Sequence, residues 1–196
     1  KTSLEKSLFS SPAACIKSIE ARLKKLYKKY TVDDIKDIHL LENLKTALEA
    51  ITPADFTRYQ KLLDLLKSKE YDWNPADSGD RVVIFTERIE TMKYLAERLR
   101  QDLGLKANAI QEISGGMSDA EQQRIVEDFG RTESTVRVLV ASDVASEGLN
   151  LHYLSHRLIH FDIPWSLMVF QQRNGRIDRY GQQKRPDIRY MLIESD

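Results

Sequence analysis

The sequence has a single cysteine, Cys15, in 196 residues. That excludes an intrachain disulfide and any cluster of thiolate metal ligands, and one thiol fits a reducing compartment such as the cytoplasm. Neither sign of charge is in excess: thirty Lys+Arg stand against thirty Asp+Glu. A protein that coats polyanions over its whole surface is thereby excluded, while a local basic groove is not. No apolar run approaches the length of a membrane span, and Lys1-Thr2-Ser3 does not open a signal sequence. The four histidines, His39, His152, His156 and His160, lack both H-E-x-x-H spacing and Cys or paired carboxylate companions, so no metal site is expected. Also missing is any G-x-x-x-x-G-K-[ST] loop, the backbone cradle that holds the phosphates of a nucleoside triphosphate. The chain opens without Met and stops after Ile193-Glu194-Ser195-Asp196, as a piece of a longer protein would.

What is present is an ordinary globular composition, 41% apolar and 31% charged, in a chain long enough for one domain and a helical appendage. Two textures divide it. Residues 1–72 read as a helical leader. Ser11-Pro12 is an N-cap followed by proline at the first helical position. Ile16, Ile19, Leu23, Leu26, Tyr27 and Tyr30 then form a stripe covered by lysines, which read as a solvated face. A second helix carries Leu40, Leu41, Leu44, Ala47, Leu48 and Ile51. Thr52-Pro53-Ala54-Asp55 restarts a third, with Phe56, Tyr59, Leu62, Leu63 and Leu66 inward. Residues 73–80 read as a linker.

From residue 81 to 196 strand and helix alternate. Strands are expected at 82–85, 109–113, 136–141, 158–161 and 188–193. A helix ending at Leu103-Gly104 follows the first strand, and Ser118-Asp119-Ala120-Glu121 is a capping box that opens another. This order predicts an α/β fold with a mostly parallel sheet sandwiched by helices.

Ligands of such sheets gather beyond the carboxyl ends of the strands, which selects four segments. Thr86, after the first strand, offers a hydroxyl to a phosphate or simply caps the next helix. Ser114-Gly115-Gly116 permits close approach of a ligand or serves only the turn. Residues 141–150 gather Ser142, Asp143, Ser146, Glu147, Gly148 and Asn150 at a strand terminus. So many polar groups are costly there unless they bond to one another or to a ligand. No second feature supports reading Asp143 and Glu147 as a glycosidase pair. The last segment is Gln171-Gln172-Arg173-Asn174-Gly175-Arg176-Ile177-Asp178-Arg179-Tyr180-Gly181-Gln182. Its spacing places Gln172, Arg176 and Arg179 on one helix face. From the residues alone, Arg176 and Arg179 either recognise phosphate or pair with carboxylates such as Asp178 and Asp187.

Together these segments resemble the C-terminal RecA-like lobe of superfamily 2 helicases, of the P-loop NTPase type. Within that group they resemble the SWI2/SNF2 translocases, particularly bacterial RNA-polymerase-associated and defence-linked members. Val83-Ile84-Phe85-Thr86 is similar to motif IV, and residues 138–151 to motif V with Asp162-Ile163-Pro164-Trp165 as its extension. Residues 172–179 fit the Q-x-x-G-R-x-x-R of motif VI, and Tyr180-Gly181-Gln182 continues it. The resemblance covers residues 80–196. It implies arginine fingers at Arg176 and Arg179, with Gln172 orienting the nucleotide or water. Glu147, Gly148, Asp143 and Gly175 would lie on the nucleotide side, Asp143 bracing its loop. Thr86 and Ser142 would touch a nucleic-acid backbone, with Ser114 and Gly115 nearby. It further implies ATP and Mg2+ bound mainly by an N-terminal RecA-like lobe, which this sequence lacks, and none bound by this chain alone. The partners would be that lobe, DNA in duplex form, and RNA polymerase or another nucleoprotein complex, with no membrane. A lobe of an RNA-directed helicase and a non-catalytic docking module are the competing readings.

Overall fold

The structure, a computed structural model, describes residues 2–28, 31, 34–143, 151–153 and 155–192. The chain forms two compact units, residues 1–57 and 58–196.

The first unit is helical: α1 (Thr2–Leu8), α2 (Pro12–Lys28) and α3 (Asp34–Glu49). Ser11 caps α2 as expected, its Oγ accepting from the Ala14 N–H at 3.1 Å. Cys15, Ile19 and Leu23 of α2 bury against Ile38 and Leu48 of α3, with Leu41 and Leu44 beside them. Leu40 and Ile51 do not join this seam and are exposed. Leu40 lies off the stripe set by 38, 41, 44 and 48, and Ile51 lies past the end of the helix. Lys24, Lys25 and Lys28 face solvent.

In the second unit, α4 (Thr57–Lys67) begins later than Thr52-Pro53 suggests. The Asp55 carboxylate takes both the N–H and the hydroxyl of Thr52, closing a turn there instead of capping a helix. Next come β1 (Arg81–Thr86), α5 (Ile89–Asp102), β2 (Ile110–Ile113), α6 (Asp119–Phe129), β3 (Val138–Ser142), β4 (Ser155–His160), α7 (Leu167–Asn174) and β5 (Asp187–Tyr190). The strands lie in the order β2-β3-β1-β4-β5, and every pairing is parallel. Central β1 has no exposed residue, as a strand covered on both faces requires. Val83 and Phe85 join Leu139, Ala141 and Leu158 on one face, under Phe129 of α6 and Leu151, Ile177 and Ile188. α5 contributes Met92, Leu95, Ala96 and Leu99 to the core, and α4 docks on it through Tyr59, whose hydroxyl donates to Asp102 Oδ2 at 2.6 Å. The capping box of α6 forms in full: Ser118 Oγ accepts from Glu121 N–H, and Glu121 Oε2 from Ser118 N–H.

Residues 71–80 differ from a plain linker. Tyr71, Trp73 and Asp80 are buried. Arg157 of β4 donates to Asp80 Oδ1 at 2.7 Å and to the carbonyls of Tyr71 and Asp72, and its guanidinium sits 4.7 Å from the centre of the Tyr71 ring. The change of texture near residue 80 therefore marks the switch from helices to strands, while α4 and this stretch pack with the sheet.

Candidate functional site

Parallel register brings three strand ends together. Thr86 pairs with Ser142 across β1 and β3, and Phe85 pairs with His160 across β1 and β4. Just beyond them Asp162 is buried and binds the end of β1. Its Oδ2 accepts from the Thr86 hydroxyl at 2.6 Å and its Oδ1 from the Glu87 N–H at 2.8 Å. Thr86 thus neither caps α5 nor presents a hydroxyl at the surface, because its proton is committed to Asp162. Ser142 is also fully buried, and its Oγ has no hydrogen-bond partner among the described residues. Ser114 is buried as well, whereas Gly115 and Gly116 are exposed. Of the four residues assigned to nucleic acid, only Gly115 lies open at this edge.

The centre of the cluster is Arg173, which the sequence reading did not single out. It is 0% exposed. A guanidinium cannot shed its charge, so burial demands partners. Asp143 Oδ1 accepts from its Nε at 2.5 Å, the Asp162 carbonyl accepts from Nη1 at 2.8 Å, and the Asp162 carboxylate lies 3.6 Å from Nη2. The Phe85 ring covers it, with 5.6 Å from guanidinium to centroid. Burial pushes the Asp143 carboxyl up from its ordinary value, and the bond and charge of Arg173 work against that shift.

His160 completes the cluster. Its Nδ1 lies 3.3 Å from Arg173 Nη1 and its Nε2 lies 2.7 Å from Asn174 Oδ1. Arginine can only donate, so Nδ1 accepts and the proton sits on Nε2, which donates to Asn174. The imidazole stacks on Phe170 and Tyr190 at centroid distances of 4.9 and 5.1 Å. Burial pushes its pKa down to about 4, with the Arg173 charge acting the same way and the Asn174 bond and Asp162 charge opposing.

Gln172, Arg176 and Arg179 do not share a helix face. α7 ends at Asn174 with Gly175 as its cap, and the chain continues in turns. The N–H of Arg176 donates to Arg173 O at 3.1 Å, and those of Ile177 and Asp178 donate to Asn174 O at 3.1 and 2.9 Å. Ile177, fully buried in the sheet core, is what orients this stretch. Around it Gln172, Gly175 and Arg176 are half-buried and Arg179 is exposed. The stretch starts at the carboxyl edge, where Arg173 and Asn174 meet His160, and reaches the start of β4 at Gln182. The Gln182 side-chain amide donates to Ser155 O, at the start of β4, and to His152 O and Ile177 O. Residues 175–182 thus lead from the His160 end of β4 to its start.

The same stretch grips the connection between β3 and β4 at both ends. Arg173 holds Asp143, and Arg176 O accepts from the Leu151 N–H at 3.2 Å. Glu147 and Gly148 lie between these anchors, outside the described residues. Among the described residues no three of His, Cys, Asp and Glu gather as metal ligands, and no helix is long and apolar enough to cross a membrane.

Comparison with known proteins agrees with this architecture. The helicase conserved C-terminal domain family matches residues 57–181, starting one residue before the second compact unit. The RNA polymerase-associated protein RapA of Vibrio campbellii is 32% identical over 132 residues, 67% of this chain and 12% of that protein. RapA of Photobacterium profundum is 31% identical over 137 residues, 70% of this chain and 13% of that protein. The chain therefore spans only a small part of the relatives it matches. Among solved structures, the Hef helicase domain of Pyrococcus furiosus has a TM-score of 0.59 at 20% identity, covering 94% of this chain and 37% of that one. The E. coli DEAD-box protein SrmB has a TM-score of 0.51 at 28% identity, covering 68% of this chain and 69% of that one. The sheet is thus RecA-like, as in helicase domains.

Proposed function

Because the chain belongs to the helicase conserved C-terminal domain family, we propose that it is the C-terminal motor lobe of an ATP-dependent, duplex-DNA-stimulated translocase of SNF2 type. In this reading Arg176 and Arg179 are arginine fingers for ATP held on an N-terminal RecA-like lobe, and Gln172 orients the nucleotide or the attacking water. Gly175, Asp143, Glu147 and Gly148 belong to the same nucleotide side. One observation carries the reading: Arg173 and Arg176 clasp the two ends of the 143–151 connection. The proposed fingers are thereby tied to Asp143 and Leu151, with Ile177 of the same turn buried in the sheet core.

The chemistry follows from what these groups can supply. A guanidinium fork stabilises charge on the transferring phosphoryl oxygens and acts only when a second lobe closes over the nucleotide. The donor set here is cationic and lacks a phosphate cradle. Any Mg2+ would be held with the phosphates by the other lobe and would supply charge neutralisation there, while this chain would contribute the Arg176 and Arg179 guanidinium groups. Nucleic acid is assigned to the carboxyl edge, entering at Gly115 and Gly116. Contact by Ser114, Thr86 and Ser142 would require that edge to open, because all three are buried. The relatives named RNA polymerase-associated protein support a polymerase or another nucleoprotein complex as partner, and a cytoplasmic, nucleoid-associated setting. A lobe of an RNA-directed helicase is the second reading.

ATP hydrolysis by the full-length protein, measured with duplex DNA, single-stranded DNA and RNA, tests the assignment. Stimulation by duplex DNA is expected. Stimulation by RNA alone would favour the second reading, and hydrolysis indifferent to every nucleic acid would remove the translocase reading.

A further inference from the structure

The two residues that the His160 ring hydrogen-bonds are the two whose carbonyls carry the arginine turn. His160 Nδ1 accepts from Arg173, and Arg173 O accepts from the Arg176 N–H. His160 Nε2 donates to Asn174, and Asn174 O accepts from the N–H groups of Ile177 and Asp178. One imidazole at the end of β4 thus fixes both side chains at the end of α7, just where the helix gives way to the turn. Phe170 and Tyr190 hold the ring in plane through stacking.

We propose that His160 is a positioning residue for Arg176, and that it holds the arginine turn in register only while its ring is neutral. The proposal rests on the motor-lobe reading for its catalytic consequence, but not for its geometry. A neutral ring tautomerised at Nε2 satisfies both neighbours at once. A second proton, placed on Nδ1, would point at the Arg173 guanidinium, a donor facing a donor and a charge facing a charge. The groups that face the ring are Arg173 and Asn174 from α7, Asp162 beyond the end of β4, and Tyr190 from β5. Asp162 is the one acid among them, and its carboxylate already accepts from Thr86 and Glu87. With Asp162 so engaged, the route open to a protonated ring is displacement of Arg173, which would loosen Asp143 and the turn together.

Two variants separate the contacts from the shape. His160→Phe keeps the three-ring stack and removes both hydrogen bonds. His160→Gln keeps a donor and an acceptor without titrating. In the full-length protein, H160F is expected to lower kcat for ATP hydrolysis by about tenfold with KM changed by less than about twofold. H160Q should restore most of kcat and flatten the decline in rate expected of the wild type as pH falls towards about 4, the value to which burial pushes the ring. A structural role alone would shift melting temperature without moving the pH profile. Wild-type rates in H160F from pH 5 to 8 would overturn the proposal, and so would an acid decline in H160Q identical to that of the wild type. If H160F does not fold, 15N spectra of the histidine-labelled wild type decide: a neutral ring protonated at Nε2 at pH 6 supports the assignment, and a doubly protonated or Nδ1-protonated ring refutes it. Should Arg176→Ala hydrolyse ATP normally, the motor reading fails while the tautomer result still stands. An inactive R176A beside a fully active H160F defeats the positioning role alone.

Discussion

The backbone N–H of Leu151 donates to the carbonyl of Arg176 at 3.2 Å. This bond joins the far end of the β3–β4 connection to the turn that carries the proposed finger, while Arg173 and Asp143 join the near end. Changes at either segment should be felt at the other.

Arg176→Ala and Arg179→Ala should each lower ATP turnover of the full-length protein by about a hundredfold or more, the scale of a lost finger. Their melting temperatures should stay close to that of the wild type, because Arg176 is half-buried and Arg179 exposed. Steady-state hydrolysis with saturating duplex DNA, together with thermal melts, reads both. Normal turnover in both variants would remove the finger assignment.

Arg173→Met should behave in the opposite way, damaging the fold first. It leaves Asp143 and Asp162 beside a fully buried site with no cation, a situation that costs about 3–5 kcal/mol. Adding Asp143→Asn should recover part of the loss. Urea denaturation of the single and double variants gives the coupling, and strict additivity would show that the pair does not interact.

Stability should fall on the acid side. The folded pKa of His160 is pushed down to about 4 from its ordinary value of 6.5, so between those values the unfolded chain binds the extra proton. That contribution is complete above pH 6.5 and is lost towards pH 4, with a limiting slope of about 1.4 kcal/mol per pH unit. Asp143, whose pKa is raised by burial, opposes this, because its folded form takes up a proton first as pH falls. Denaturation midpoints from pH 7 to 4 for the wild type and H160Q should diverge, and parallel curves would show that His160 is not the source.

Gln182→Ala removes an amide that three carbonyls share. Two or more buried acceptors losing a donor should cost about 1–3 kcal/mol. Neighbouring Gly181, at φ +95°, needs glycine, and Gly181→Ala should add strain of about 1–2 kcal/mol. Guanidinium melts measure both. An unchanged midpoint in Q182A would mean the amide is not an anchor.

Residues 1–196 alone should hydrolyse no ATP, since the sequence has no phosphate loop. A phosphate-release assay showing steady turnover by the pure chain would contradict this.

Local signals were readable without coordinates. The Ser118/Glu121 capping box, the glycine after α5 and the five strand segments each depend on residues close in sequence, and each formed. The last strand ends at Tyr190, short of the expected 188–193, of which residue 193 lies outside the described residues. Helix length after Gln172 was not readable, because Arg173 to Arg179 has helical spacing. Gly175 and the need to bury Ile177 break the helix, and that need exists only once the sheet core is assembled. Arg173 stayed hidden for a similar reason. Three arginines within seven residues look alike until strand register brings Asp143 and Asp162 to one of them. Its only sequence signal was its place next to Gln172, on the side of α7 shared with Phe170 and Asn174. Tyr71, Trp73 and Asp80 were misjudged because Pro and Gly nearby suggest a loose tether, whereas their partner, Arg157, lies far along the chain.

Arg173 is sealed from solvent, and that has a consequence for how the protein answers ionic strength. Counterions shield exposed charges and displace cations from polyanions, but they do not enter a dry guanidinium–carboxylate knot. Concentrated salt should therefore strip the proposed nucleic-acid partner from the surface while leaving the internal hinge pin of the arginine turn in place. Diluting the salt should then return a lobe ready to bind again without refolding.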